Sequence, residues 1–200
     1  MRENSPEGDS ASSAYLLRLE ELRLLPKPMG LVKKAGNAGE LDASHFKMGN
    51  DYASALAGAF KYLNPQKVNL HNNRISRKAA PAVFAALAAT DCEQVDLSVN
   101  EIGLSGTYKL GALLEAPECK ILHLNLETNR LGDRPVLQLA TSLRRNHSLA
   151  KLNLGHNLIS DVGATAIAGM LCANDCLEIL YLHWNKIRGK GGASLATAFK

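Results

Sequence analysis

Aromatic side chains are scarce in these 200 residues: Phe, Tyr and Trp together make up 5%, with a single tryptophan. A core must therefore be built from medium-sized aliphatic side chains, and 46% of the chain is hydrophobic. Charge of one sign is lacking too. The formal net charge of +4 falls short of the concentrated basic stripe that phosphate-dominated binding requires, so nucleic acid is not indicated as a partner. No apolar run is long enough to cross a bilayer, and the polar stretch Met1 to Ser13 has no signal-peptide core, which argues against membrane insertion and secretion. Cysteine is limited to four residues. Cys92 takes a core position, Cys119, Cys172 and Cys176 fall near helix ends, and Cys172-x3-Cys176 lacks the second ligand pair of a zinc module. We read them as reduced structural thiols of an intracellular, cytoplasmic protein. No nucleophile stands in register with a paired histidine and carboxylate, so no catalytic residue is assigned. No cofactor is expected either, since Arg188-Gly189-Lys190-Gly191-Gly192 lacks the leading glycine and spacing of a phosphate loop.

Against this plain composition stands a period. Asn73, Asn100, Asn129, Asn157 and Asn185 recur at intervals of 27, 29, 28 and 28 residues. Each sits in a frame L-x-x-L-x-L-x-x-N-x-L, as in Cys92-Val95-Leu97-Asn100-Ile102 and Leu149-Leu152-Leu154-Asn157-Ile159. A small or turn-compatible residue follows six positions on, as Ala79, Gly106, Pro135, Gly163 and Gly191. Apolar residues follow at ten (Val83, Leu110, Leu139, Ile167, Leu195) and at fourteen (Leu87, Leu114, Leu143, Leu171, Phe199), four apart and so on one helix face. An earlier copy keeps the apolar columns as Leu41, Ala43, Met48, Leu56 and Phe60, with Phe46 in place of asparagine. Each unit predicts a short strand, an asparagine-closed turn and a helix whose inner face is rich in alanine (Ala80, Ala82, Ala85, Ala86, Ala164, Ala166, Ala168). The strand period of two sends leucines inward and their neighbours outward, giving a parallel sheet with one face on the core. Helices are wider than strands, so stacked units bend with the strands on the concave side.

Residues 1–13 read as a disordered tail, too polar to offset backbone ordering. Residues 14–37 read as a capping helix and linker: Tyr15, Leu19 and Leu22 match helical spacing, and Pro26 and Pro28 end the helix. This helix either covers the apolar edge of the first repeat or docks elsewhere as a leucine-rich segment. Residues 38–200 hold the six repeats. The last helix reaches its core position at Phe199 with no polar cap, which suggests that the array continues or stacks on another chain.

The pattern N-x-[LI]-x-x-x-G-x-x-x-[LI]-A-x-x-[LF], clearest in Asn157 to Leu171 and Asn185 to Phe199, resembles the ribonuclease-inhibitor-like leucine-rich repeats. That subfamily includes ribonuclease inhibitor, the repeat domains of nucleotide-binding innate immune receptors, Ran GTPase-activating protein, and cytoskeletal and ciliary repeat proteins. The resemblance implies an α/β leucine-rich-repeat horseshoe solenoid, with parallel strands on the concave face and helices on the convex face. It further implies recognition of a protein partner on the concave face and rims, as a non-catalytic scaffold. Two alternatives come with it: a GTPase-activating or GTPase-binding regulator, and a structural component of a ciliary or cytoskeletal assembly.

The strand rule names the candidate surface. The two residues before each asparagine pair as His71 and Asn72, Ser98 and Val99, Glu127 and Thr128, Gly155 and His156, His183 and Trp184. Four before lie Asn69, Asp96, Asn125, Asn153 and Tyr181, and six before lie Lys67, Gln94, His123, Lys151 and Ile179. Trp184, beside His183 and near Tyr181, has the character of residues that dominate interface energy. Asp96, Glu127, His71, His156 and His183 supply polar recognition on the same face. His156 and His183 come from adjacent strands, but Glu127 lies one strand farther away, so we read solvated recognition histidines and no metal site. Basic residues cluster after the asparagines, namely Arg74, Arg77, Lys78, Arg130, Arg134, Lys186, Arg188 and Lys190, as a rim suited to an acidic protein surface. Asn146-His147-Ser148 reads as a turn.

Overall fold

The computed structural model describes residues 10–26 and 39–198. Residues 1–9 of the expected tail, the linker at 27–37 and the last two residues, Phe199 and Lys200, lie outside the described residues. The chain opens with α1 (Ala11–Glu21), capped by the Ser10 hydroxyl, which accepts from the Ser13 N–H at 3.1 Å. The helix therefore takes in Ala11 to Ser13, which the sequence assigned to the tail. Its end also differs from expectation, falling before Pro26 because Arg23 turns left-handed at φ 52°. Arg23 N–H donates to Glu20 O and Leu24 N–H to Leu19 O, a Schellman closure that satisfies the last carbonyls. Tyr15 and Leu19 are buried against the next two helices, α2 (Gly49–Ala57) and α3 (Phe60–Leu63), so α1 covers that edge of the array.

Six three-residue strands follow in chain order: β1 (Glu40–Asp42), β2 (Lys67–Asn69), β3 (Gln94–Asp96), β4 (His123–Asn125), β5 (Lys151–Asn153) and β6 (Ile179–Tyr181). They form one open parallel sheet in which every strand pairs only with its sequence neighbours. The register is unbroken, with Leu41, Val68, Val95, Leu124, Leu152 and Leu180 as one transverse column. The first five of these are at most 7% exposed, and their outward neighbours form the polar face. Behind the sheet lie α4 (Ala80–Leu87), α5 (Gly103–Glu115), α6 (Asp133–Leu143), α7 (Asp161–Leu171) and α8 (Gly189–Ala198), each packed on the next. Ala80, Ala164 and Ala168 face inward as expected. Ala82 and Ala85 do not; they are exposed, because Val83, Phe84 and Leu87 occupy the inner arc of α4.

The asparagines join one repeat to its neighbours. Asn157 is 4% exposed; its Nδ2 donates to Leu126 O of the preceding repeat at 3.0 Å, and its Oδ1 accepts from the N–H groups of Asn129 and Leu131. Asn73, Asn100 and Asn129 repeat the scheme, so backbone groups that the turns leave unpaired are satisfied one repeat away. A second, shorter ladder went unread in the sequence. Asn146 Nδ2 donates to Leu114 O and Asn174 Nδ2 to Leu143 O, which makes the Asn146-His147-Ser148 turn a structural joint with its amide nitrogen engaged.

A third joint ties the helix starts. Asp133 Oδ1 accepts from the N–H groups of Ser160 and Gly163 while Oδ2 accepts from the Ser160 hydroxyl, and Asp161 Oδ1 accepts from the N–H groups of Arg188 and Gly191. A Cβ on Gly163 would lie 2.7 Å from Asp133 Oδ1, and one on Gly191 2.7 Å from Asp161 Oδ1. The recurring small residue thus makes room for the previous repeat's carboxylate. Partial burial pushes the Asp133 carboxyl up, but the Ser160 hydroxyl and the two N–H bonds outweigh it and hold the group below its ordinary value. Cys92 fills its core column at 1% exposure, where burial pushes the thiol up to about 11. No helix among the described residues is long and apolar enough to cross a membrane.

Candidate functional site

Three parallel rows of side chains cover the outward face of the sheet, and their geometry follows from the turn that ends each strand. The residue just before each asparagine is left-handed: Asn72, Val99, Thr128, His156 and Trp184 have φ between 53° and 56°. These positions are therefore turn residues rather than strand residues, a correction to their assignment from sequence. The left-handed conformation costs an L-residue roughly 1–2 kcal/mol, held here by the bonded asparagine next to it.

At the β2–β3 end the face is closed upon itself. His71 Nδ1 lies 2.7 Å from Ser98 Oγ, and its ring meets His45 edge-on at 4.7 Å. Asp96 Oδ1 accepts from Ser98 N–H and Oγ, and its Oδ2 from Asn125 Nδ2 at 3.1 Å. Ser98 is 4% exposed in consequence. His45 was missed because Phe46 replaces asparagine in its copy; applying the same offset to Phe46 finds it.

The β4–β6 end is open. Trp184 is 76% exposed and stacks on His156 of the preceding repeat, with ring centroids 5.7 Å apart and planes at 17°. His183 meets His156 edge-on at 5.3 Å and Tyr181 edge-on at 6.2 Å. Lys151 Nζ lies 5.4 Å from the Tyr181 ring centroid, within cation–π reach. Glu127 is not remote from the histidines: its Oε1 lies 3.7 Å from Nε2 of both His156 and His183. Trp184, Tyr181, His183, His156 and Glu127 are thus one cluster, while His71 and Asp96 belong to the other.

The basic rim is less uniform than the sequence suggests. The position after each asparagine reads Arg74, Glu101, Arg130, Leu158 and Lys186, and Arg130 Nη1 pairs with Glu101 Oε1 at 2.5 Å. Exposed pairs of this kind contribute little stability but neutralise charge. Arg188 is fixed through its backbone, which donates to Asp161 Oδ1. Arg74, Lys186 and Arg188 are exposed.

The leucine-rich repeat family profile matches residues 145–168 and 173–196, the stretch that carries His156, Tyr181, His183 and Trp184. The chain is 31% identical over 115 residues to "NACHT, LRR and PYD domains-containing protein 3" of Mus musculus, covering 57% of this chain and 11% of that protein. It is 37% identical over 111 residues to "NACHT, LRR and PYD domains-containing protein 12" of Homo sapiens, covering 54% and 10%. It is 27% identical over 126 residues to "RAN GTPase-activating protein 2" of Arabidopsis thaliana, covering 62% and 23%. The chain therefore spans about a tenth of the length of the two NACHT relatives and under a quarter of the third. Register, sheet order, asparagine ladder and these matches agree: the chain is a leucine-rich repeat protein of the ribonuclease-inhibitor-like kind.

Proposed function

We propose that this chain is a non-catalytic, intracellular protein-recognition module whose partner contacts the outward sheet face, centred on Trp184 and Tyr181. The observation that carries this reading is the exposed aromatic cluster. Trp184, 76% exposed, is backed by the His156 ring and stands in line with Tyr181 and His183. A large, rigid side chain held out from a stacked support loses little conformational freedom on contact, which suits an anchor residue. Arg74, Lys186 and Arg188 at the rim then favour acidic groups on the partner. The free cysteines accord with a reducing compartment. Partners captured from the native source should be lost by the Trp184→Ala/Tyr181→Ala double variant while its urea midpoint stays near wild type. Full retention of the partner by that variant would remove this surface from the proposal.

A second reading, regulation of a small GTPase, draws on the match to "RAN GTPase-activating protein 2" and on Arg74. Arg130 is the weaker candidate because Glu101 engages it. GTP hydrolysis measured against a panel of small GTPases separates the two readings: acceleration that Arg74→Ala abolishes supports regulation, and no acceleration by wild type eliminates it.

A further inference from the structure

Glu127, His156 and His183 come from three successive repeats, yet their ligand-type atoms all lie within 4.8 Å of one another. His156 Nε2 and His183 Nε2 are each 3.7 Å from Glu127 Oε1. That separation is too long for a hydrogen bond and too short for a water to stand between the two atoms. It is close to the edge of a coordination shell, since a tetrahedral zinc ion with bonds of roughly 2.0–2.2 Å sets its ligand atoms about 3.3 Å apart. A contraction of a few tenths of an ångström would close the two Glu127–histidine edges, and the two imidazoles, within 4.8 Å of each other, would have to draw together as well.

Adjacent parallel strands stand about 4.8 Å apart, so His183 on the sixth repeat reaches Glu127 on the fourth only by leaning across the fifth. Gly155 allows this. It occupies the column of His71, Ser98, Glu127 and His183, and a Cβ there would lie 2.5 Å from His183 Cε1 and 2.6 Å from its Nε2. The carboxylate is held independently: Asn153 Nδ2 donates to Glu127 Oε2 at 3.0 Å, leaving Oε1 for the histidines. The same amide's Oδ1 accepts from Gly155 N–H at 2.9 Å, so one side chain fixes both the carboxylate and the backbone of the gap. His156 is walled by Trp184 on its face and by His183 on its edge. Outer contacts that orient ligands in this way are a recurring part of metal sites.

A metal ion takes both imidazoles neutral and supplies the positive charge itself. We infer that Glu127, His156 and His183 bind a divalent transition-metal ion of the zinc kind, with water in the fourth position facing solvent beside Trp184. Two nitrogen ligands disfavour calcium and magnesium, which take oxygen. This inference stands apart from the recognition reading and would survive its failure.

The chain's single tryptophan is the reporter. Zinc chloride titrated into the purified full chain should change Trp184 fluorescence saturably with one equivalent, confirmed by calorimetry, while magnesium and calcium do not. Cobalt in place of zinc should give the visible bands of a four-coordinate nitrogen–oxygen site. Glu127→Gln, nearly isosteric and half-buried, should weaken binding at least about tenfold, as should Gly155→Ala, which removes no ligand but displaces His183. Cys172→Ser/Cys176→Ser should bind as wild type. Circular dichroism and the melting midpoint check that each variant is folded. Absence of saturable zinc binding by wild type overturns the inference. Wild-type affinity in folded Glu127→Gln or Gly155→Ala, or loss in the cysteine variant, overturns it equally by placing the ion elsewhere.

Discussion

His45 with His71 and His156 with His183 are both edge-on imidazole pairs on one sheet face, at 4.7 and 5.3 Å, yet the rings of the first pair are hydrogen-bonded to neighbouring side chains and those of the second face a carboxylate at 3.7 Å. His71 and His183 occupy the same repeat column, as do His45 and His156. The difference comes from one neighbour. Beside His71 the next strand supplies Ser98, whose hydroxyl meets Nδ1 at 2.7 Å and is itself fastened to Asp96. Beside His183 the previous strand supplies Gly155, which bonds nothing through a side chain and leaves the ring to lean toward Glu127. In a solenoid, the chemistry of a surface position is set across the strands, by what the adjacent copies place in the same column.

The comparison can be broken at its foundation by emptying the core beneath it. Leu154 is 1% exposed under the second pair, and Leu154→Ala should destabilise the chain by roughly 2–5 kcal/mol in urea unfolding. An unchanged midpoint would mean that the column does not point inward, and both pairs would lose their frame. A smaller effect sharpens the contrast between the pairs. His71→Ala removes a bonded ring and should cost about 1 kcal/mol, whereas His156→Ala in metal-free buffer should stay within about 0.5 kcal/mol. Equal costs would show that the two pairs are energetically alike.

The smallest effect lies in the pH dependence of the repeats beneath the second pair. Asp133 has a folded pKa below its ordinary value of 3.8, so its contribution is fully present above that value. The contribution disappears as pH falls through the lowered folded value. Asp133→Asn should therefore flatten the acid limb of a plot of stability against pH below 3.8 and leave its slope near neutrality unchanged. An acid limb identical to wild type would show that the joint between α6 and α7 does not depend on charge.

Strand and core positions are legible in the sequence because a period of about 28 residues repeats the same inward letters, and burial depends on those letters alone. Arg23, whose left-handed turn ends α1 early, is not legible: no glycine announces it, and its cause is a pair of backbone bonds. The candidate site is legible only as columns. Periodicity says that Glu127, His156 and His183 face outward, but not that a ring can lean sideways over an empty neighbour. Gly155 carries that information, yet in the sequence it resembles any other turn glycine. The second ladder through Asn146 and Asn174 escaped because only these two copies carry asparagine at that offset.

The amide joints have a further bearing on how the molecule can be edited. Since Asn157 completes the backbone of residues 126, 129 and 131, each coil is finished only by its successor. Shortening or lengthening the protein must therefore proceed in whole coils, spliced between like positions of two copies, so that a donor again meets an acceptor at the seam. Loose length is tolerated only where the copies already differ, between the helix column and the next strand: Leu87 to Cys92 spans five steps and Leu114 to Ile121 seven.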